Sequence, residues 1–515
     1  MRLAGSFRTA FYAVIVVIAF PSVPQSSPKL KLIWERTYAA SGNGSDIAHA
    51  VAVDRSGGVV VAGSGWEPGN YAWLVRRYDG SGSQLWSRSY TSIGAVASDA
   101  SDVAAGPDGS VVAAGYETTA NTYWLVEKYD ASGGLLWSRT HTRPGYPFTS
   151  ASAVAIDGDG NAVVAGAECN PGMLGGGPSN WLVRKYDEGG NLLWSRSNNA
   201  GGNSVAALDI AVDAGGNVIV VGSKNDGFMQ GCMIEKYDRD GNYLWGQSSG
   251  VWIGGGTYRN SAVAVDANGN IAVVQVMGMC QPGPLGGYIC AGGTSLLFYD
   301  PGGVLLWSTS FNDSVQGFDN GQDVVVDRTG NILVTGNRTA GDPDRRIQWF
   351  FRKHDRSGNL LLNETWESPA GMDDGVSGVA VDGAGSILAA GYEQQKGQSV
   401  TANWLVREFR EPRSVFVAVP SPDLIVYPNP VKGDQFVVEF VDLGGDIAEL
   451  ELQLFDAAFD CVYRATWRDV LRAVPRVRVD GVQNWAPGMY LLWVKGTLAG
   501  GGRIRFPAKK VLVRR

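Results

Sequence analysis

A block of about fifty residues recurs along this chain from Leu32 to Arg410, and self-similarity at that period confines the fold to a repeat architecture before any single residue is considered. In its clearest form the block reads DASGGLLWSRTH (Asp130–His141), SAVAIDGDGNAVVAGA (Ser152–Ala167), then WLVRKYD (Trp181–Asp187). Each block carries four strand signals. AVAVD (Ala50–Asp54) and VVVAG (Val59–Gly63) flank one turn sequence, and WLVRRYD (Trp73–Asp79) and QLWSRSY (Gln84–Tyr90) flank another. The turns follow D-x-x-G or D-G-x-G, in which Asp bonds the backbone two residues on and Gly supplies a positive φ. A four-stranded meander of this kind is the blade of a β-propeller.

The last strand of the block occurs at Leu32–Tyr38, Gln84–Tyr90, Leu135–His141, Leu192–Asn198, Tyr243–Ser249, Leu305–Phe311 and Leu360–Trp366. Six copies carry a tryptophan, Trp34, Trp86, Trp137, Trp194, Trp245 and Trp307, and Leu362 replaces it in the seventh. The chain begins with a spare outer strand, LIWERTY, and the last block, ending in WLVREFR, stops one strand early. Pairing the two closes the ring and removes exposed sheet edges. The expectation is an all-β chain with a seven-bladed β-propeller closed by the N-terminal strand over residues 28–410.

The remaining chain is placed around that ring. Residues 1–27 have Arg2 and Arg8, then an apolar core from Phe11 to Phe20, too short to span a bilayer, and read as a signal peptide. No membrane span is expected in the mature chain. Seventy Gly and 44% apolar residues suit a packed all-β protein, and a net charge of −7 disfavours nucleic acid and anionic membrane as partners. Of the five cysteines, Cys280 and Cys290 sit in one insertion and could staple it in an oxidising compartment. Cys169 occupies the corresponding loop of the third unit, while Cys232 and Cys461 read as buried thiols. No C-x-x-C spacing supports a metal, and no cofactor is expected. A Pro-rich linker, residues 411–423, precedes a β-rich segment, residues 424–515, whose alternation fits a small Ig-like β-sandwich.

Two resemblances follow from these motifs. The apolar strand, D-x-x-G-N, V-x-V-x-G and YD-x-x-G-N-x-x-W of the units resemble the bacterial beta-propeller repeat family of exported proteins, over Leu32 to Arg410. The C-terminal segment resembles the type IX secretion sorting domain and the related Ig-like domain of flagellar hook-capping proteins. Tyr427, Pro428, Asn429 and Pro430 carry the likeness, with Ala486, Pro487, Gly488, Met489 and Tyr490, and Lys509 and Lys510 near the end. The resemblance implies a bacterial protein secreted or held at the outer cell surface, with the secretion machinery as a partner. The stretch Phe459–Arg478 is longer and more basic than such a domain carries. The alternative is that the tail only stabilises the chain, its YPNP turn and APGMY strand start serving the fold.

The short, alike turns share one face, so the variable connections lie on the other, where binding usually resides. Those loops place Trp66, Glu67 and Tyr71 in the first unit, Glu117 and Tyr123 in the second, and Trp252 and Tyr258 before the fifth. Exposed aromatics beside Asn and acids stack on sugars or anchor a protein; the alternative is that these rings fold back as plugs. Asp46, Asp99, Asp319 and Asp374 precede four innermost strands, where carboxylates around one mouth could hold calcium, or simply cap turns. DGDGN (Asp157–Asn161) is a turn, because it lacks the later bidentate acid. His49, His141 and His354 are the only histidines, and no G-x-S-x-G accompanies them. The expected function is a non-enzymatic scaffold binding a glycan or surface protein, with no catalytic residue assigned. A structural envelope component and a carbohydrate-active enzyme using Glu67 and Glu117 are the alternatives.

Overall fold

Each repeat folds where its aspartates force a reversal. In the computed structural model Asp130 Oδ1 accepts the backbone N–H of Ser132 and of Gly134, both at 2.8 Å, while Gly133 turns the chain at φ +83°. Asp157, Asp213, Asp266 and Asp327 hold their turns in the same way. The model describes residues 30–40, 44–67, 69–92, 94–170, 179–199, 204–225, 229–252, 256–282, 288–311, 319–339, 347–366, 374–394, 402–411, 423–427, 435–441, 447–456, 461–470, 476–480, 485–498, 503–505 and 509–513. Among them there is no helix, and so none long and apolar enough to cross a membrane. Residues 1–27, expected to be a signal peptide, lie outside the described residues.

The chain divides into two compact units, Met1–Pro412 and Arg413–Arg515. In the first, consecutive antiparallel strands form four-stranded meanders, beginning with Ile47–Val53, Val59–Glu67, Asn70–Tyr78 and Gln84–Tyr90. The first three meanders are joined into one twelve-stranded sheet by single parallel bridges, Tyr71 to Ala97 and Phe148 to Thr122. The last meander has only three consecutive strands, Asp374–Val381, Ile387–Gln394 and Ala402–Arg410; its fourth is Lys31–Tyr38 from the N-terminus, running antiparallel to Ala402–Arg410. The first strands contact one another in succession from Ile47–Val53 to Asp374–Val381, which in turn contacts Ile47–Val53.

In every fourth strand but Leu360–Trp366, where Leu362 stands instead, a tryptophan joins one meander to the next. Trp86 Nε1 donates to Ala131 O at 3.0 Å, Trp137 to Glu188 O at 2.8 Å and Trp307 to Arg356 O at 2.8 Å. Two residues on, Arg88 and Arg139 donate from Nε to Gly133 O and Gly190 O at 2.6 and 2.7 Å. The turn glycine is required there: a Cβ on Gly190 would sit 2.8 Å from the Trp137 ring. Beneath the latch, Lys185, 3% exposed, reaches Asp157 Oδ2 at 2.8 Å and Arg239 O at 3.1 Å, tying its own turn to the next one.

In the second unit Asp423–Tyr427, Gln435–Val441 and Arg476–Asp480 form one sheet, and Cys461–Val470, Ile447–Phe455, Gly488–Leu498, Arg503–Arg505 and Lys509–Val513 another. Tyr490 is buried and donates to Ala486 O at 2.7 Å, with Trp485 against its ring. Pro487 is exposed and Gly488 opens its strand. Pro428, Asn429 and Pro430 lie outside the described residues, as do the side chains of Tyr427, Lys509 and Lys510. Cys232 is buried, whereas Cys461, expected inside, is exposed on an outer strand with Sγ 3.4 Å from Tyr463 O. Register places Cys280 directly opposite Cys290; their side chains lie outside the described residues.

Candidate functional site

Because the Asp turns occupy one end of every meander, the C-terminal ends of the second and fourth strands gather at the other. There the last residue of a fourth strand meets the following meander's second strand twenty-seven positions on. Tyr90 donates to Glu117 Oε2 at 3.3 Å, and the His141 Nε2 to Glu168 Oε1 distance is 2.8 Å.

The second of these pairs anchors a cluster. Glu168, 3% exposed, also accepts from Arg143 Nη1 at 2.7 Å and from Asn180 Nδ2 at 3.5 Å, both on Oε2. Burial alone would raise its pKa, but the hydrogen bonds from His141, Arg143 and Asn180 and the Arg143 charge outweigh it and lower the pKa to about 2. Arg143 is delivered by a tight turn, Arg143-Pro144-Gly145-Tyr146, with Gly145 at φ +82° and Tyr146 N bonded to Arg143 O. Its guanidinium lies 4.4 Å from the Tyr146 ring centroid and remains 42% exposed. Phe148, two residues on, is 48% exposed. A buried anion thus fixes an imidazole and a partly exposed guanidinium beside exposed aromatic surface.

The residues singled out in the sequence are distributed differently. Trp66 packs edge-on to Tyr71 at 4.9 Å, over Gly44, with its backbone N–H held by Asp46 Oδ1 at 2.7 Å. It is a plug in its own loop, while Tyr71 is the more exposed partner. Glu67 is exposed and accepts from Ser89 Oγ; Glu117 is buried under Tyr90. Ser89 and Tyr90 are consecutive on one strand and so point to opposite faces, which places Glu67 and Glu117 on opposite sides of it. The two carboxylates do not converge as a glycosidase pair. Tyr123 is half-buried, and the side chains of Trp252 and Tyr258 lie outside the described residues.

The four acids proposed for a cation mouth are engaged by the chain's own donors. Asp46 accepts from Ala40 N and Trp66 N, Asp99 pairs with His49 at 3.0 Å, Arg338 grips Asp319 through two nitrogens at 2.9 Å, and Arg407 reaches Asp374 at 3.3 Å. Among the described residues no group of His, Cys, Asp or Glu is arranged for a metal. His49 lies within the first strand Ile47–Val53.

A second acidic set escaped the sequence reading. Asp102, Asp209 and Asp323 occupy one position on the first strands of alternate meanders, where the others have Ala50, Ala153, Ala262 and Gly378. Each accepts the N–H of its own successor at 2.7 Å and one from the following meander: Val154 N at 2.7 Å, Val263 N at 2.6 Å, Val379 N at 2.7 Å. Burial, and for Asp102 also the Asp323 charge, raises the pKa of Asp102 to about 7, with Asp323 at about 6; Asp209 is raised by burial and by both other carboxylates. The legible signal was the alternation of Asp with Ala or Gly three to four residues before each first turn. For His141 and Glu168 it was the repeated twenty-seven-residue spacing.

No family model matches the sequence, and no curated protein matches it. Among solved structures, the polysaccharide lyase Uly1 is 10% identical with a TM-score of 0.47, over 76% of this chain and 95% of that one. The alpha-L-arabinanase of Penicillium chrysogenum, complexed with arabinobiose, is 12% identical with a TM-score of 0.38, over 59% and 90%. The Synechocystis apocarotenoid oxygenase is 12% identical with a TM-score of 0.39, over 88% and 97%. The fold is all-β and of propeller type. The expectation of a non-enzymatic chain is corrected here, since the matching solved chains include a lyase, an arabinanase and an oxygenase; the likeness carries neither site residues nor substrates to this protein.

Proposed function

We propose that this chain is a seven-bladed propeller, closed by its N-terminal strand, that binds an acidic polysaccharide on its loop face and acts on it at His141, Glu168 and Arg143. The observation that carries the reading is the cluster itself: a carboxylate locked in its ionised form, an imidazole oriented by it, and a guanidinium with solvent on one side. Hydrolysis by two carboxylates has no support, because Glu168 is spent on its partners and Glu67 and Glu117 face apart. Proton abstraction beside a sugar carboxylate fits better. Arg143 neutralises the uronate, which acidifies the neighbouring C–H. His141 takes that proton, and the C–H electron pair forms a C=C bond as the adjacent glycosidic C–O bond breaks. The departing oxygen receives its proton from the imidazolium so formed or from water. Tyr146, Phe148 and Tyr71 offer faces for sugar stacking.

The test is to incubate the purified chain with uronate-containing and neutral polysaccharides and follow the ultraviolet absorbance of an unsaturated product. Cleavage of the acidic substrate, lost in His141→Ala and weakened in KM by Arg143→Ala, is the expected result. Activity untouched by His141→Ala, or confined to neutral glycans, overturns the assignment. Residues 1–27 and the C-terminal unit, as an Ig-like sorting domain, are proposed to deliver the propeller to the outside of a bacterium. Fusing residues 424–515 to a reporter in a type IX-secreting host checks that route, and a reporter retained in the periplasm argues against it.

A further inference from the structure

Five of the seven joints share one seal, and two depart from it. Between the fifth and sixth meanders Thr294 takes the sealing position, facing a retained glycine, Gly336, with its hydroxyl engaged by Asp319 O and Gly321 N. Between the fourth and fifth, both sides of the seal differ. At the start of the third strand, Trp73, Trp124, Trp181, Trp349 and Trp404 are fully buried. Trp404 and Trp124 face second-strand glycines of the next meander, Gly63 and Gly166, and the same register position is glycine at Gly115, Gly222 and Gly391. A Cβ there would meet the Trp404 ring at 2.9 Å at Gly63 and the Trp124 ring at 2.9 Å at Gly166. Indole and missing side chain therefore fit one another. In the fourth meander the tryptophan position is Cys232, and the facing glycine position in the fifth is Gln275. Both halves of the pair have changed together.

At this joint lies a pocket of about 130 Å³, lined by Cys232 and Gln275 and open to solvent on the side of the exposed Gln247 and Ser248. Ile234 and Leu297 supply apolar walls, and Gln247 and Ser248 polar ones. A slot that elsewhere holds an indole, with volume near the roughly 150 Å³ of an engineered cavity that takes up benzene, is matched to a flat aromatic guest. Its amide and hydroxyl groups add a demand for hydrogen bonding that a pure hydrocarbon does not meet.

We infer that the joint between the fourth and fifth meanders is a binding site for a small planar heteroaromatic compound, of indole size and bearing one hydrogen-bonding group. The site lies in a different joint from the His141 cluster and does not depend on the polysaccharide reading.

The probe is indole, added to the full chain while thermal unfolding and alkylation of Cys232 are followed, the latter peptide by peptide by mass spectrometry. Indole is expected to raise Tm saturably and, at ten times its dissociation constant, to slow Cys232 alkylation about tenfold. Alkylation of the exposed Cys461 is expected to stay unchanged. The double variant Cys232→Trp/Gln275→Gly restores the pattern of the five tryptophan-sealed joints; it is expected to unfold at higher temperature and lose the indole response. Cys232→Phe, a smaller filling that needs no glycine, serves if the double variant does not fold. Indole that shifts neither Tm nor Cys232 reactivity overturns the inference, as does an equal Tm shift in a folded, filled variant.

Discussion

Glu168 illustrates how a single residue acquires a role that its sequence position conceals. In isolation it is one of several acids at strand ends, and His141 is one of three histidines without a nucleophile motif. Only their superposition across a joint gives the carboxylate three donors. Replacing Glu168 by Gln leaves the mostly buried His141 and the partly exposed Arg143 without their anion, and the expected loss of stability is about 3 kcal/mol by chemical denaturation. If the cluster serves proton transfer, His141→Ala loses activity at a smaller stability cost than Glu168→Gln, which separates chemistry from packing. Trp66 shows the opposite case. Its loop, its aromatic ring and its acidic neighbours read as a contact surface, yet Gly44 beneath it and Tyr71 beside it make it part of the loop's own packing. Exposure is a property of the folded neighbourhood, and the sequence does not encode it locally.

At the level of the strand and turn, much more was legible, because hairpin chemistry is local. The Asp that bonds two and four residues ahead, and the Gly at positive φ, stand in the sequence at every turn they make. The joints were not legible, since the WSR segment of one unit acts on a turn about forty-five residues later. Leu362 makes the point. It replaces the latching tryptophan in the meander whose successor has no third-to-fourth turn, its fourth strand coming from the N-terminus. With no turn carbonyl to receive an indole N–H, a buried aliphatic side chain fills the position, beside Leu30 and Phe409. The latch predicts two outcomes measurable by urea denaturation. Trp137→Ala is expected to cost about 3–5 kcal/mol. Gly190→Ala is expected to cost more than about 1 kcal/mol, because it combines a strained φ of +79° with a clash against Trp137.

Across the whole molecule, Asp102, Asp209 and Asp323 each clasp the backbone of the following meander, so their titration is felt between repeats rather than within one. Their folded pKa values lie above the ordinary 3.8, with Asp102 at about 7 and Asp323 at about 6. Between those limits the unfolded chain has released protons that the folded chain still binds, so stability falls as pH rises from about 4 to about 7. The turn aspartates act in the opposite sense. Asp327, against burial, is held at about 2 by Thr329, Lys353 and Asn331, and Glu168 likewise by its three donors. Their contribution is present above the unfolded values and is lost as pH falls toward 2. His49, whose pKa the Asp99 carboxylate raises against burial, adds stability that is lost as pH climbs from the ordinary imidazole value through its raised one. The melting temperature is therefore expected to rise from pH 2 to about 4 and then decline toward 7. Asp102→Asn is expected to flatten the declining limb, leave the acid limb in place, and leave the loss that sets in as pH passes the ordinary imidazole value to His49. A scan of Tm against pH for the two proteins separates these windows. An unchanged slope between pH 4 and 7 would show that the inter-repeat carboxylates titrate as ordinary surface acids.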